Sequence, residues 1–424
     1  MNKTNKWGSA LAFATTFALA AASLTSGNAV AADPVTITFW GAYGNGGNST
    51  QQDALNKELI PAFEAANPGI MVKYVDIAYD ALLQKLTTSA AGNQLPDLVR
   101  ADLGWVPKFA DLGVLVPLST AMSDFKTLAA ATYPGSLSTN KYKGKYYGLP
   151  LDTNTRVLIS NEQALAAAGR TTPPATFADL KRMATKLKGT KISLFADGGL
   201  GAWNISPWLW SGGGDLTNAT QTKSTGYLNS AKNVRTVQML VDFYDQGLIP
   251  NIITGNSGGV STSDGLPKGI YATIFDGPWM SGIWSGQYPK FKQIYSPIPA
   301  GPGGSISVVG GEDIVLTASS KNQEAAMKFI RFTQSDQFQL AMMKTGQMTI
   351  LPGLSAQEIA FAPYYKTFAA QLKTAKSRLA ITQGSQVDSI LNANLAPAFL
   401  GKTSVRSALT SAAAQIDLLL VRGK

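Results

Sequence analysis

Strand and helix patterns alternate at short spacing between residues 35 and 102, and nothing else in the chain restricts the fold as much. Val35-Thr-Ile-Thr-Phe-Trp40 is β-branched and aromatic, the composition of a buried strand. A Gly- and Asn-rich loop follows at 41–48. Ser49 or Thr50 then caps a helix carrying Leu55, Leu59 and Phe63 on one face, stopped by Asn67-Pro68-Gly69. The pattern continues with a strand over Ile70–Ile77, a helix over Tyr79–Ala91 and a strand over Asp97–Arg100 that leads into Ala101-Asp102. Strands separated by helices pair in parallel through right-handed crossovers. In such sheets ligands bind beyond the carboxyl ends of the strands. The loop with Tyr43, Asn45 and Asn48 and the segment with Asp102 and Trp105 should therefore emerge at one edge.

The pattern recurs later. Thr155–Ser160, Lys191–Ala196 and Ile270–Phe275 read as strands, Phe177–Leu187 as a helix, and Pro278 as the first turn of another. Ser307–Ala318 reads as a strand pair broken at Gly310-Gly311, with Ser320 or Asn322 capping the helix that holds Phe329. The fold class is α/β throughout. With 424 residues the chain exceeds what one hydrophobic core usually serves, so two domains are expected.

Composition then removes whole chemistries. The chain has no Cys and no His, which excludes disulfides, thiol nucleophiles, imidazole metal ligands and a Ser–His–Asp triad. Lys3, Lys6, the apolar run Ala10–Ala22 and Ala29-Val30-Ala31 read as an export leader over residues 1–31. No later stretch is apolar enough to cross a bilayer. The formal charge of +10 includes Lys3 and Lys6 of that leader, and the other cations are scattered. Their densest cluster, Lys141–Lys145, lies in a turn-like stretch and reads as solvated surface, not as a nucleic-acid site. Gly401-Lys402-Thr403 imitates the end of a phosphate loop, but Ala396 stands where that loop needs Gly. Thr403 or Ser404 is expected to cap the last helix instead.

The tryptophans divide by context. Trp203 and Trp279 each follow the carboxyl end of a strand and read as pocket wall, whereas Trp210 and Trp284 read as core. The carboxylates Asp102, Asp152, Asp276 and Glu312 fall at strand ends or in loops. Carboxylates accept hydrogen bonds from vicinal hydroxyls, and indole faces cover the C–H patch of a sugar ring. A polyhydroxylated ligand suits that pairing, and so does a polyamine.

Several segments carry a family likeness in their order and spacing: Thr38-Phe-Trp40, Leu59-Ile-Pro-Ala-Phe-Glu-Ala-Ala-Asn-Pro-Gly-Ile70, Leu95-Pro-Asp-Leu98, Lys143-Gly-Lys-Tyr-Tyr-Gly-Leu-Pro150, Gly277-Pro-Trp279 and Gly310-Gly-Glu-Asp313. The chain resembles the extracellular solute-binding proteins of bacterial ABC importers, the family that includes the maltose-binding protein. The resemblance implies two discontinuous lobes joined by a hinge, each with a mainly parallel sheet flanked by helices. One lobe would comprise 32–151 and 298–347, the other 152–297 and 348–424, with crossings near 149–152, 296–299 and 348–351. It implies ligand contacts from Tyr43, Asn45, Asp102, Trp105, Asp152, Asn154, Trp203, Asn204, Asp276, Trp279, Gly311 and Glu312. It further implies a monomeric sugar-binding component without catalysis, cofactor, metal or nucleic-acid partner, which delivers its ligand to the membrane subunits of an ABC permease. Without a cysteine for lipid attachment, a freely diffusing periplasmic form is expected. A glycerophosphodiester or polyamine is the alternative ligand, and a secreted glycoside hydrolase the alternative activity. Gln383–Asp388 lacks the aromatic that the maltose-binding protein carries there, so its sugar does not transfer.

Overall fold

Strand β1, Val35–Gly41, pairs in parallel with β2, Ile70–Asp76, on one side and with β3, Leu98–Asp102, on the other. The computed structural model describes residues 34–44, 49–255 and 258–422, so the 1–31 leader and Asn45 lie outside the described residues. Helix Tyr79–Ala91 forms where its apolar spacing predicts it. The helix after β1 runs from Ser49 to Ala66 but passes through a π-helical stretch, Ala54–Leu59, and still buries Leu55, Leu59 and Phe63. The lysine cluster is a two-residue hairpin between β4, Lys141–Tyr142, and β5, Lys145–Tyr146. Lys143 and Gly144 both take positive φ at its tip, and Lys143 pairs with Asp111 at the surface.

The first sheet is completed by β6, Gly148–Thr155, and β11, Val309–Leu316, in the order β2-β1-β3-β11-β6. The second comprises β7, Val157–Asn161, β8, Ser193–Ala196, β9, Tyr271–Asp276, and β10, Gln293–Ser296, in the order β10-β7-β9-β8. In each sheet one strand runs against the rest: β11 is antiparallel to β3 and β6, and β7 to β9 and β10. These two are the strands that follow a passage between the sheets. Arg156 alone separates β6 from β7, and the return runs from Ser296 to Val309. The chain leaves each sheet at the carboxyl edge of its strands and enters the other at the same edge, so the entering strand must point the opposite way. A third segment lies beside the first passage, where Met348 bridges Thr153.

Each sheet has its own apolar core. Phe39, Phe63 and Phe329 meet in the first, with ring centroids 5.6 and 5.0 Å apart. Phe195, Trp208 and Phe275 meet in the second at 4.7–5.0 Å. Fully burying one such ring contributes on the order of 1.5–3 kcal/mol. Helix Phe177–Leu187 docks on the second sheet behind a reciprocal cap, in which Thr176 accepts from the Asp179 N–H and Asp179 accepts from the Thr176 N–H. Gly401, at φ +68°, ends helix Gly384–Phe399, and Ser404 caps Val405–Arg422 by accepting from the Ser407 N–H, so the phosphate-loop look-alike is a helix-to-helix turn. Among the described residues no helix is long and apolar enough to cross a membrane.

One expectation is corrected. Ser307–Ala318 is not a strand pair: β11 is continuous through Gly310-Gly311 and pairs along its length with β6. Gly311 takes φ +132°, and the register against β6 slips between Glu312 and Asp313. The glycines form a bulge that bends the strand without reversing it. A Cβ on Gly311 would lie 2.4 Å from the Asp152 carbonyl oxygen. Gly311→Ala should therefore lose about 1–3 kcal/mol in denaturant unfolding, whereas Gly135→Ala, with open space around it, should change little.

Candidate functional site

Residues opposed across antiparallel strands share a face, and their side chains come close. Glu312 stands opposite Asp102 on β3 and opposite Asp152 on β6. Three carboxylates thus form one row at the edge where the chain passes between sheets. Unrelieved, three like charges in a buried row would repel and hold their protons. Arg100 lies two residues before Asp102, on the same face of β3, and supplies the counter-charge. Its Nη2 donates to Asp152 Oδ2 at 3.5 Å and pairs with Glu312 Oε2 at 2.8 Å. Its guanidinium lies 4.5 Å from the centre of the Tyr43 ring. Burial works against the Arg100 charge, but Glu312 and Asp152 outweigh it and its pKa is raised. Burial raises the Glu312 pKa well above the usual range; Arg100 opposes this, and Asp152 and Asp102 reinforce it.

The second sheet repeats the arrangement around Arg156. Its Nη1 lies 2.9 Å from Asp197 Oδ2, and its Nη2 donates to Asp197 Oδ1 at 3.0 Å. Asn204 Nδ2 also donates to Asp197. Asp276 ends β9 opposite Val157, one residue beyond Arg156. Burial pushes its pKa up to about 6, against the pull of Arg156 and the Gly277 N–H. Trp203 opens the helix Ala202–Ser211, and Trp279 opens Trp279–Gln287. Their rings stack with centroids 6.4 Å apart and planes 28° from parallel. Both are half-buried, whereas Trp208, Trp210 and Trp284 are fully buried, as expected for Trp210 and Trp284. A Cβ on Gly310 would lie 2.1 Å from Asn154 Oδ1 and 2.7 Å from the Trp203 ring, so that glycine lets the first sheet approach the indole.

Asp102 joins the two arrangements. It accepts from the Gly104 N–H and from Tyr79 Oη, both at 2.7 Å, and from Arg378 Nη2 at 2.8 and 2.9 Å. Tyr79 packs on Trp105 at 5.6 Å between ring centroids, and Arg378 lies 5.7 Å from the Trp203 ring. A cavity of about 40 Å³ opens among Asp102, Trp105, Arg378 and Asp388. Another of about 130 Å³ adjoins it past Ala202 and Leu379, towards Trp210. A larger groove of about 670 Å³, at Asn161, Gln287 and Lys292, holds none of these arginine–carboxylate pairs.

Eleven of the twelve expected site residues thus fall around these two arrangements, and Asn45 lies outside the described residues. Tyr43 forms floor rather than wall, being fully buried under Arg100. Sequence reasoning missed Tyr79, Arg100, Asp197, Arg378 and Asp388 and left Arg156 out of the set. Tyr79 begins the helix after β2 and follows the same strand-end rule as Tyr43. Arg100 could have been found from the two-residue period of β3.

The raised pKa of Asp276 has a readable sign. Its unfolded value is about 3.9, so the folded state holds the proton more tightly. The stability it contributes is fully present below about pH 4 and is lost as pH rises through about 6. In denaturant unfolding across that range, wild type should lose stability relative to Asp276→Asn, and a difference independent of pH would contradict the assignment.

Residues 46–340 match the family described as bacterial extracellular solute-binding protein. A Brucella abortus (strain 2308) relative, described only as a binding protein, is 27% identical over 378 residues, covering 86% of this chain and 89% of its own. The diacetylchitobiose binding protein of Streptomyces coelicolor is 24% identical over 323 residues, covering 73% and 71%. Among solved structures, the GacH receptor of Streptomyces glaucescens superimposes with a TM-score of 0.81 at 24% identity, covering 92% of this chain and 100% of that one, and shares the fold. The chain belongs to the bacterial extracellular solute-binding protein family.

Proposed function

We propose that this protein binds a carbohydrate between its two sheets and delivers it to the membrane subunits of an ABC importer, without transforming it. The observation that carries this reading is the half-buried Trp203–Trp279 wall beside two carboxylate groups. Asp152 Oδ1 and Asn154 Oδ1 are buried without a protein partner, so acceptors remain for ligand hydroxyls. The Streptomyces coelicolor relative is named for binding diacetylchitobiose, and the GacH receptor was crystallised with acarbose.

Charge separates the ligand classes. Three arginines stand at the site, but Arg100, Arg156 and Arg378 are each held by carboxylates. As hydrogen-bond acceptors Asp102, Asp152, Asp197, Asp276, Glu312 and Asp388 outnumber them two to one, although burial raises the pKa of Glu312, Asp276 and Asp388. A phosphate ligand needs converging unpaired cations, which disfavours a glycerophosphodiester. The same surplus keeps a polyamine as the second reading.

The two sheets with their helices act as lobes that close on the ligand, whose contacts to both favour the closed state. We assign residues 34–44, 49–155 and 309–347 to one lobe and 157–255, 258–296 and 348–422 to the other. That moves the first division from 151 to Arg156, because β6 stays in the first sheet as far as Thr155. The protein works as a monomer outside the cytoplasmic membrane, in the periplasm, after the leader is removed near Ala31. Calorimetry against neutral mono- to tetrasaccharides, glycerophosphodiesters and polyamines tests the reading, with the recovered ligand expected to be chemically intact. Trp203→Ala and Asp276→Ala should each weaken saccharide binding by about 1–3 kcal/mol. Wild-type affinity in both variants would remove them from the site.

A further inference from the structure

Arg378 crosses the space between the two sheets. Its neighbours Leu379 and Ile381 pack on the core of the second sheet, and Ala380 N–H donates to Gln221. Its guanidinium nevertheless reaches Asp102 at the end of β3, where one nitrogen donates to both carboxylate oxygens. The side chains of Arg378 and Asp102 are only 16% and 9% exposed, so water screens the pair little. Asp102 is fixed from its own side by Tyr79 and Gly104, and Arg378 from its side by the Trp203 face. Lys376, two residues before Arg378, is hydrogen-bonded to Val309 where the return passage meets β11, so the pair sits beside that passage and depends on how closely the two sheets stand there. Opening breaks it and returns both charges to water. Removing one partner leaves the other charge buried and unpaired whenever the sheets approach.

We propose that Arg378 and Asp102 form a latch that holds the two halves together before any ligand arrives, with Arg378 as a positioning residue that sets the open–closed balance. The latch rests on the reading of the sheets as closing lobes, but it acts without ligand and can be tested without one. The chain has no cysteine, so Lys126→Cys and Lys188→Cys introduce two unique labelling positions, both at exposed sites, one on each half. In the full mature protein, electron–electron distance measurements between spin labels at these sites, together with small-angle scattering, report the closed population in the absence of ligand. Arg378→Gln should shift the open–closed equilibrium towards open by roughly tenfold. Asp102→Asn should do the same, and the double variant should be no more open than either single one. An unchanged distance distribution and radius of gyration in folded Arg378→Gln would overturn the latch, whatever the protein binds. Additive effects in the double variant would overturn the pairing. If Arg378→Gln does not fold, Asp102→Asn with Arg378→Met removes both charges and carries the same readout. A saccharide screen on the same samples separates the two ideas, since binding can fail while the latch holds and can succeed while it does not.

Discussion

The charge balance around Arg100 is the interaction on which the rest of the site depends. The strand registers fix Asp102, Glu312 and Asp152 in one row before any side chain adjusts. Packing three carboxylates together is costly, and burial still raises the Glu312 pKa against the pull of Arg100. A single guanidinium behind the row, with Arg378 on its outer end, lets it stay acceptor-rich and buried together. The same solution appears in the second sheet, where Arg156 stands between Asp197 and Asp276. Arg156 is also the single residue that joins β6 to β7, so one of these arginines sits in a connection between the halves.

That position follows from topology. Because β7 and β11 enter their sheets from the edge where the other strands end, they bring their first residues to that same edge. Glu312 and Gly310 of β11 therefore lie beside Asp102, Asn154 and Trp203, although they belong to a strand running away from that edge. The reversed strands are a consequence of threading one chain through two sheets, and they supply part of the site's chemistry.

The local part of this arrangement was legible in the sequence. Helix Tyr79–Ala91 follows from its apolar spacing and helix Phe177–Leu187 from its place between two strands, and the division of Trp203 and Trp279 from Trp210 and Trp284 follows from their distance to strand ends. Gly310-Gly311 was misread because two glycines permit a turn and a bulge equally, and only pairing on both sides decides between them. Arg378 could not be read at all. It lies 276 residues from Asp102, in a stretch with no strand-end signal, and meets it only when both sheets are assembled. Charge pairing across such separations has no local pattern, so the sequence showed the acceptors and hid the cation that pairs with Asp102.

The central claim is that an acceptor-rich, cation-balanced cleft with an indole wall holds a neutral polyhydroxylated ligand. A crystal structure of the protein with a saccharide bound tests it most directly. The account predicts a sugar ring lying on the Trp203–Trp279 wall, with hydroxyls about 2.7–3.0 Å from carboxylate oxygens of Asp276 and of the Asp102–Glu312–Asp152 row. A saccharide in the outer groove at Asn161 and Lys292, or an anionic ligand that displaces those carboxylates from Arg100 and Arg156, would contradict it.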